Sequence, residues 1–241
     1  MTRRIAILNT NTDESDFARR HPDDGRKVEA CLLAQRPQWH CEVHAVHRDE
    51  FPQDPTAYDG WVMTGSVSSV NEGLPWMLRL AALVRGLHAR RVPLVGLCFG
   101  HQMVAHALGG RVGPSPKGWR VGVAPTHFHV TPAWMNPVVP DIRLFAAHEE
   151  QVLQPPPLAQ VIGGDDFAPV GAMTVGEHIL STQYHPELSR GFMQELLQVY
   201  ASEWTPALVA QAGQQVLQPV DGALFFRWMA QFLETQSEPS P

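Results

Sequence analysis

The sequence predicts an α/β fold of three layers, in which helices cover both faces of a parallel sheet. Three observations predict it. Short continuous apolar runs recur through the first ~110 residues, helical patterns separate them, and one run enters a Gly-x-Cys-x-Gly turn that leads into a helix.

The elements follow in order. Ile5-Ala6-Ile7-Leu8, Gly60-Trp61-Val62-Met63 and Pro93-Leu94-Val95-Gly96-Leu97 are short apolar runs that end in turn chemistry or small residues, as buried strands do. Cys41-Glu42-Val43-His44-Ala45-Val46 mixes polar and apolar residues and reads as an outer strand. Residues 74–90 read as a helix with Leu74, Met77, Leu78, Ala81, Ala82 and Leu83 on one side. A second helix starts just after Cys98, runs through Met103, Val104 and Leu108, and stops at Gly109-Gly110.

Across residues 119–185 the pattern changes to short strands: Val121-Gly122-Val123, His127-Phe128-His129-Val130, Ile142-Arg143-Leu144-Phe145, Gln160-Val161-Ile162 and Ala172-Met173-Thr174-Val175. Gln154-Pro155-Pro156-Pro157 reads as a loop or an edge, because proline cannot donate to a ladder. Beyond Pro186, residues 196–200, 207–216 and 225–233 carry helical spacing, and residues 237–241 read as frayed. Without an internal repeat or a dividing linker, the expectation is one domain over residues 1–241. Its core spans about 4–203 and a helical extension about 204–241.

Composition excludes several function classes. A chain of 241 residues buries about 70–75% of its unfolded surface, so a core needs no metal or disulfide. A net charge of −6 argues against nucleic acid, which is bound by clustered Lys and Arg. Cys31, Cys41 and Cys98 are too few and unpatterned for a disulfide framework, which points to a reducing compartment. The apolar run at residues 5–8 is too short for a signal peptide, and no stretch approaches the ~18 apolar residues of a membrane span. A cytoplasmic protein without a membrane partner is expected.

Two further patterns are discounted. His127 with His129, and His44 with His47, lack a third convergent ligand, so no metal is expected. Ala147-His148-Glu149-Glu150-Gln151-Val152 is no zinc-protease helix, since Val152 stands where the second His would be. Trp134, Trp204 and Trp228 read as core or interface anchors.

The informative stretch is Leu94-Val95-Gly96-Leu97-Cys98-Phe99-Gly100-His101-Gln102. A buried strand, a sharp turn and a helix make a nucleophile elbow with Cys98 at its apex. The glycines let strand and helix backbones approach. The helix N-terminus favours a thiolate, and the Phe99 N–H is free to meet a developing oxyanion. A thiol nucleophile needs a base and an orienting group. Gln183-Tyr184-His185-Pro186-Glu187 supplies both at another strand end: His185 as base, with Glu187 two residues on to hold the imidazole.

Together these motifs resemble the class I glutamine amidotransferases. Gly96-Leu97-Cys98-Phe99-Gly100-His101-Gln102 is similar to the family's nucleophile motif, and Gln183-Tyr184-His185-Pro186-Glu187 to its second motif. Met63-Thr64-Gly65-Ser66 resembles the turn that gives the second oxyanion N–H, here on Ser66. The resemblance covers about residues 4–203 and implies a mixed, mostly parallel, flavodoxin-like sheet with flanking helices. It implies no cofactor. It also implies that Cys98 attacks the amide carbon of glutamine or another γ-glutamyl compound, that His185 protonates the leaving amine, and that water releases glutamate from a thioester. Gly65, Gln102, His148 and Glu149 are the substrate-binding candidates.

Two departures from the family pattern stand out. Ala147 replaces the polar residue usual before the His, and the 241 residues are expected to leave no room for a synthetase domain. Lys117-Gly118-Trp119-Arg120-Val121-Gly122 resembles stand-alone members, including γ-glutamyl peptidases that cleave glutathione-type conjugates. The alternatives are a glutaminase subunit that delivers ammonia to a separate synthetase, and a binding or regulatory homologue without turnover.

Overall fold

The computed structural model describes residues 2–235, and the expected fraying at 237–241 lies outside them. In chain order the first elements are β1 (Arg4–Leu8), α1 (Asp16–Arg19), α2 (Asp24–Gln35), β2 (His40–His44), β3 (Gly60–Met63), α3 (Pro75–Ala89), β4 (Leu94–Leu97) and α4 (Phe99–Ala107). Then come β5 (Arg111–Pro114), β6 (Arg120–Phe128), β7 (Asp141–His148), β8 (Glu150–Gln154), β9 (Ala159–Gly164), β10 (Ala172–Val175), β11 (Ile179–Thr182), α5 (Arg190–Val199), α6 (Pro206–Gln215) and α7 (Gly222–Thr235).

Nine strands form a mixed sheet in the order β2-β1-β3-β4-β11-β10-β9-β6-β7, while β5 and β8 pair separately. The strands from β2 to β11 are parallel. From β11 to β7 each neighbour is antiparallel. Within the parallel half β1, β3 and β4 are largely apolar on both faces, as strands covered on both sides must be, while β2 at the sheet edge carries His40, Glu42 and His44. Ile5 and Ile7 of β1 face a cluster with Val28 and Leu32 of α2 and Phe225, Trp228 and Phe232 of α7. Ala6 and Leu8 face the opposite cluster, with Leu80 and Val84 of α3 and Phe99 and Met103 of α4. The period of two in β1 thus assigns α2 and α7 to one layer and α3 and α4 to the other. A third cluster packs Met193 of α5 and Ala212 of α6 on Val121 and Val123 of β6. Among the described residues no helix is long and apolar enough to cross a membrane.

Several expectations are corrected. In α3 the buried residues are Trp76, Met77, Leu80, Ala81, Val84 and Leu87, whereas Leu78 and Ala82 face solvent and Leu74 only caps the helix. The i, i+3, i+4, i+7 series starting at Met77 is the one a 3.6-residue period keeps on one side. The strand expected over 41–46 ends at His44, and Val46 opens a 3₁₀ turn. Two short strands expected near 121–130 are parts of one strand, β6, which ends before His129. Gln154 closes β8, and only the prolines after it leave the ladder.

Candidate active site

Strands β4 and β11 lie side by side and parallel, so their C-terminal ends open at one edge of the sheet. Cys98 follows β4 directly. Its φ of 48° and ψ of −101° place a non-glycine residue in sparsely populated backbone space, a strain common at functional turns. The flanking glycines are required by close approach. A Cβ on Gly96 would lie 2.6 Å from the Gly100 carbonyl, and one on Gly100 would lie 2.8 Å from Met63. Cys98 N–H donates to Thr182 O at 2.9 Å, and buried His101 bridges Ser181 Oγ (2.8 Å) and Val170 O (3.0 Å). The elbow is thereby tied to β11.

His185 lies three residues past β11, and its N–H donates to Phe145 O of β7 at 2.8 Å. Its Nδ1 is 2.7 Å from Glu187 Oε1, and the Glu187 side chain is fully enclosed. Burial opposes protonation of the ring, but the Cys98 sulfur and the Glu187 carboxylate outweigh it and hold the His185 pKa well above the ordinary imidazole value. The structure therefore brings together Cys98, His185 and Glu187, with the imidazole biased towards its charged form. Cys31 and Cys41 are half-buried against the core, and burial pushes both thiols up to about 11.

Phe99 buries its ring against Trp76 at 5.7 Å, and its N–H opens α4 without an intrahelical acceptor. Gly65 sits behind the pair: a Cβ there would lie 2.8 Å from His185 Cε1 and 3.5 Å from Cys98 Cβ. The Gly65 carbonyl accepts from Thr10 Oγ1 (2.9 Å) and Thr64 Oγ1 (3.1 Å), both buried. A trans peptide sends its N–H opposite its carbonyl, so the two threonines fix the direction of the Ser66 N–H.

A cavity of about 600 Å³ lies over Cys98, lined by Ser66, Gln102, Ala147, His148 and Glu149 among others. Gln102 gives its amide to Glu150 O (2.8 Å) and Gln183 Oε1 (3.3 Å), and Gln183 Nε2 lies 3.7 Å from Cys98 Sγ. Burial, helped by Arg120 and His185, pushes His148 down to about 3, so its ring is uncharged at neutral pH. Glu149 is exposed at the mouth.

Sequence reasoning missed Thr10, Thr64 and the role of Gln183. It also missed the cavity-lining roles of Trp119, Tyr200 and Trp204. Thr10 carries no motif signal, whereas Thr64 and Gln183 both stand inside motifs already singled out, where only their roles went unread. Trp228 is a core anchor as expected, fully buried with Nε1 donating to Pro137 O at 3.0 Å, but Trp204 is half-buried on the cavity wall.

The family model for glutamine amidotransferase class-I matches residues 22–199. The chain belongs to that family. Among curated relatives, gamma-glutamyl peptidase 2 of Arabidopsis thaliana is 29% identical over 66% of this chain and 66% of its own length. A GMP synthase (glutamine-hydrolyzing) of Cytophaga hutchinsonii is 27% identical over 69% of this chain but only 33% of its own length. Among solved structures, a glutamine amido transferase from Methylobacillus flagellatus superposes with a TM-score of 0.77 at 23% identity, covering 98% of this chain and 94% of that one. One from Thermotoga maritima gives 0.74 at 16% identity, covering 96% of this chain and 98% of that one. The mixed sheet with flanking helices is the flavodoxin-like fold of these neighbours.

Proposed function

We propose that the protein is a cysteine-dependent hydrolase of γ-glutamyl amide bonds, working as one domain without a cofactor. Cys98 at a strained elbow beside the 2.7 Å His185–Glu187 pair carries the reading. Cys98 Sγ attacks the γ-carbonyl carbon. The oxyanion is met by the N–H groups of Phe99 and Ser66. The C–N bond breaks as His185 gives its proton to the departing amine, leaving a γ-glutamyl thioester. Water then attacks that carbon and gives its proton to His185. The C–S bond breaks, glutamate is released, and the ion pair is restored. Glu187 holds the ring tautomer throughout. Gln102, His148 and Glu149 surround the amino-acid end, and Gly65, which does not line the cavity, leaves room for the Cys98–His185 pair. Relatives named gamma-glutamyl peptidase support hydrolysis of a small γ-glutamyl compound.

The match to one third of a GMP synthase favours a second reading, in which ammonia from glutamine passes to a separate synthetase subunit. A mass-spectrometric screen of L-glutamine, glutathione, a glutathione S-conjugate and γ-glutamyl amines separates the two. Turnover of a γ-glutamyl peptide or amine, lost in Cys98→Ala, supports the hydrolase. Turnover of glutamine alone, rising with a partner, supports the subunit. Activity retained in Cys98→Ala rejects both, and binding without any acyl-enzyme identifies a regulatory homologue.

A further inference from the structure

The cavity over Cys98 is larger than a primary amide needs, at about 600 Å³ in the range of drug-sized ligands. Contacts divide its lining into two rims. On one, Gln102 donates to Glu150 O, and Ser69 Oγ donates to Glu150 Oε2 at 2.6 Å. On the other, Tyr200 Oη donates to Asp13 Oδ2 at 3.2 Å. The Trp204 ring lies 6.4 Å from that of Tyr200 and 5.8 Å from that of Trp119, between centroids. Glu203, next in the chain to Trp204, also lines the cavity.

With the amino-acid end of the substrate beside Gln102, as proposed above, the amine half faces the second rim. That rim offers three aromatic rings and two carboxylates. Among the described residues no Lys or Arg lines the cavity itself, and His148 is uncharged there. Lys117 and Arg120 line the adjoining pocket that shares Trp119, Glu203 and Trp204, but Arg120 is paired with Asp165 and Lys117 donates to Asp166 O. Asp13 is engaged by Tyr200 and by Ser15 N–H, whereas Glu203 forms no ion pair among the described residues. Aromatic faces beside carboxylates attract a cation, and the same field repels an anion.

We infer that the preferred substrate is a γ-glutamyl amide whose amine half carries a second, positively charged amino group, seated against Trp204, Trp119, Tyr200 and Glu203. This rests on the hydrolase reading and narrows it. A leaving group that ends in a carboxylate, as the peptide half of glutathione does, finds no cation in this cavity.

The test compares kcat/KM for the γ-glutamyl amides of putrescine, butylamine and γ-aminobutyrate, which share a four-carbon skeleton and differ in terminal charge. The putrescine amide is expected to lead the butylamine amide by about tenfold, and the γ-aminobutyrate amide to come last. Glu203→Gln is expected to bring the first ratio close to one, and added salt to lower it. Equal rates, an inverted order, or a ratio untouched by Glu203→Gln overturns the inference and leaves the hydrolase reading intact. If none of the three amides, L-glutamine, glutathione or its S-conjugate is turned over, the hydrolase reading fails. The same amides are then titrated calorimetrically into the protein. The same order of affinity upholds the charge preference, and its absence overturns that too.

Discussion

At the scale of single residues, Thr10 shows how a side chain remote from the sulfur can govern it. Its hydroxyl reaches the Gly65 carbonyl, and its N–H donates to Thr64 Oγ1 at 3.0 Å. Thr10→Val keeps the shape and removes the hydroxyl. We expect kcat to fall about tenfold with KM little changed, short of the roughly 10²–10³ lost with a whole oxyanion donor, and Thr10→Ser to restore it. Steady-state kinetics on any turned-over amide checks this, and a loss confined to KM would contradict it. His185 sets the pH response. Its raised pKa means that its charged interaction with Glu187 and Cys98 stabilises fully below the unfolded value of about 6.5, and is lost as pH rises through the folded value. Both kcat and thermal stability should therefore decline on an alkaline limb above that value. A kcat limb at or below it would show that the imidazole is not held charged.

At the scale of elements, β4, the elbow and α4 behave as one unit. Gly96→Ala would drive a Cβ to 2.6 Å from the Gly100 backbone, which cannot yield as a side chain can. A loss of about 1–3 kcal/mol is expected in urea unfolding. Gly86, inside α3, has nothing within 4 Å of a Cβ, so Gly86→Ala should stabilise by roughly 0.5–1 kcal/mol. The contrast also explains what the sequence made legible. The elbow could be read because its requirements are local: an apolar strand, two glycines and a helix start. β5 and β8 could not, because a four-residue strand holding Gly113 and Pro114 exists only through its partner. α2 was hidden because its exposed half is polar and Val28 and Leu32 are its only fully buried apolar side chains, with Cys31 and Leu33 partly buried against the core. The cavity wall was hidden because Trp119 comes from a segment far along the chain from Tyr200 and Trp204, which flank one short turn.

At the scale of the whole molecule, the C-terminal helices are structural rather than appended. Gly222 starts α7 against the turn that carries the base: a Cβ there would lie 2.4 Å from Pro186 O. The helix then buries Phe225, Phe226, Trp228, Met229, Phe232 and Leu233 against the layer that holds α2. Trp228→Ala should cost about 3–5 kcal/mol by cavity formation, read as a lowered Tm. A shift no larger than that of a surface substitution would mean that α7 is not part of the cooperative core.

The last strand made, β11, occupies the middle of the sheet between β4 and β10. During synthesis the segment up to the elbow can assemble four parallel strands, yet β4 stays an open edge until residues 179–182 arrive to pair with it. Imidazole and sulfur meet only then, because His185 follows directly behind that strand. A ribosome-bound or prematurely ended chain thus carries Cys98 as a lone thiol. The topology delays the reactive pair until residue 185 has been made, well after the thiol at residue 98, a form of biosynthetic timing written in strand order.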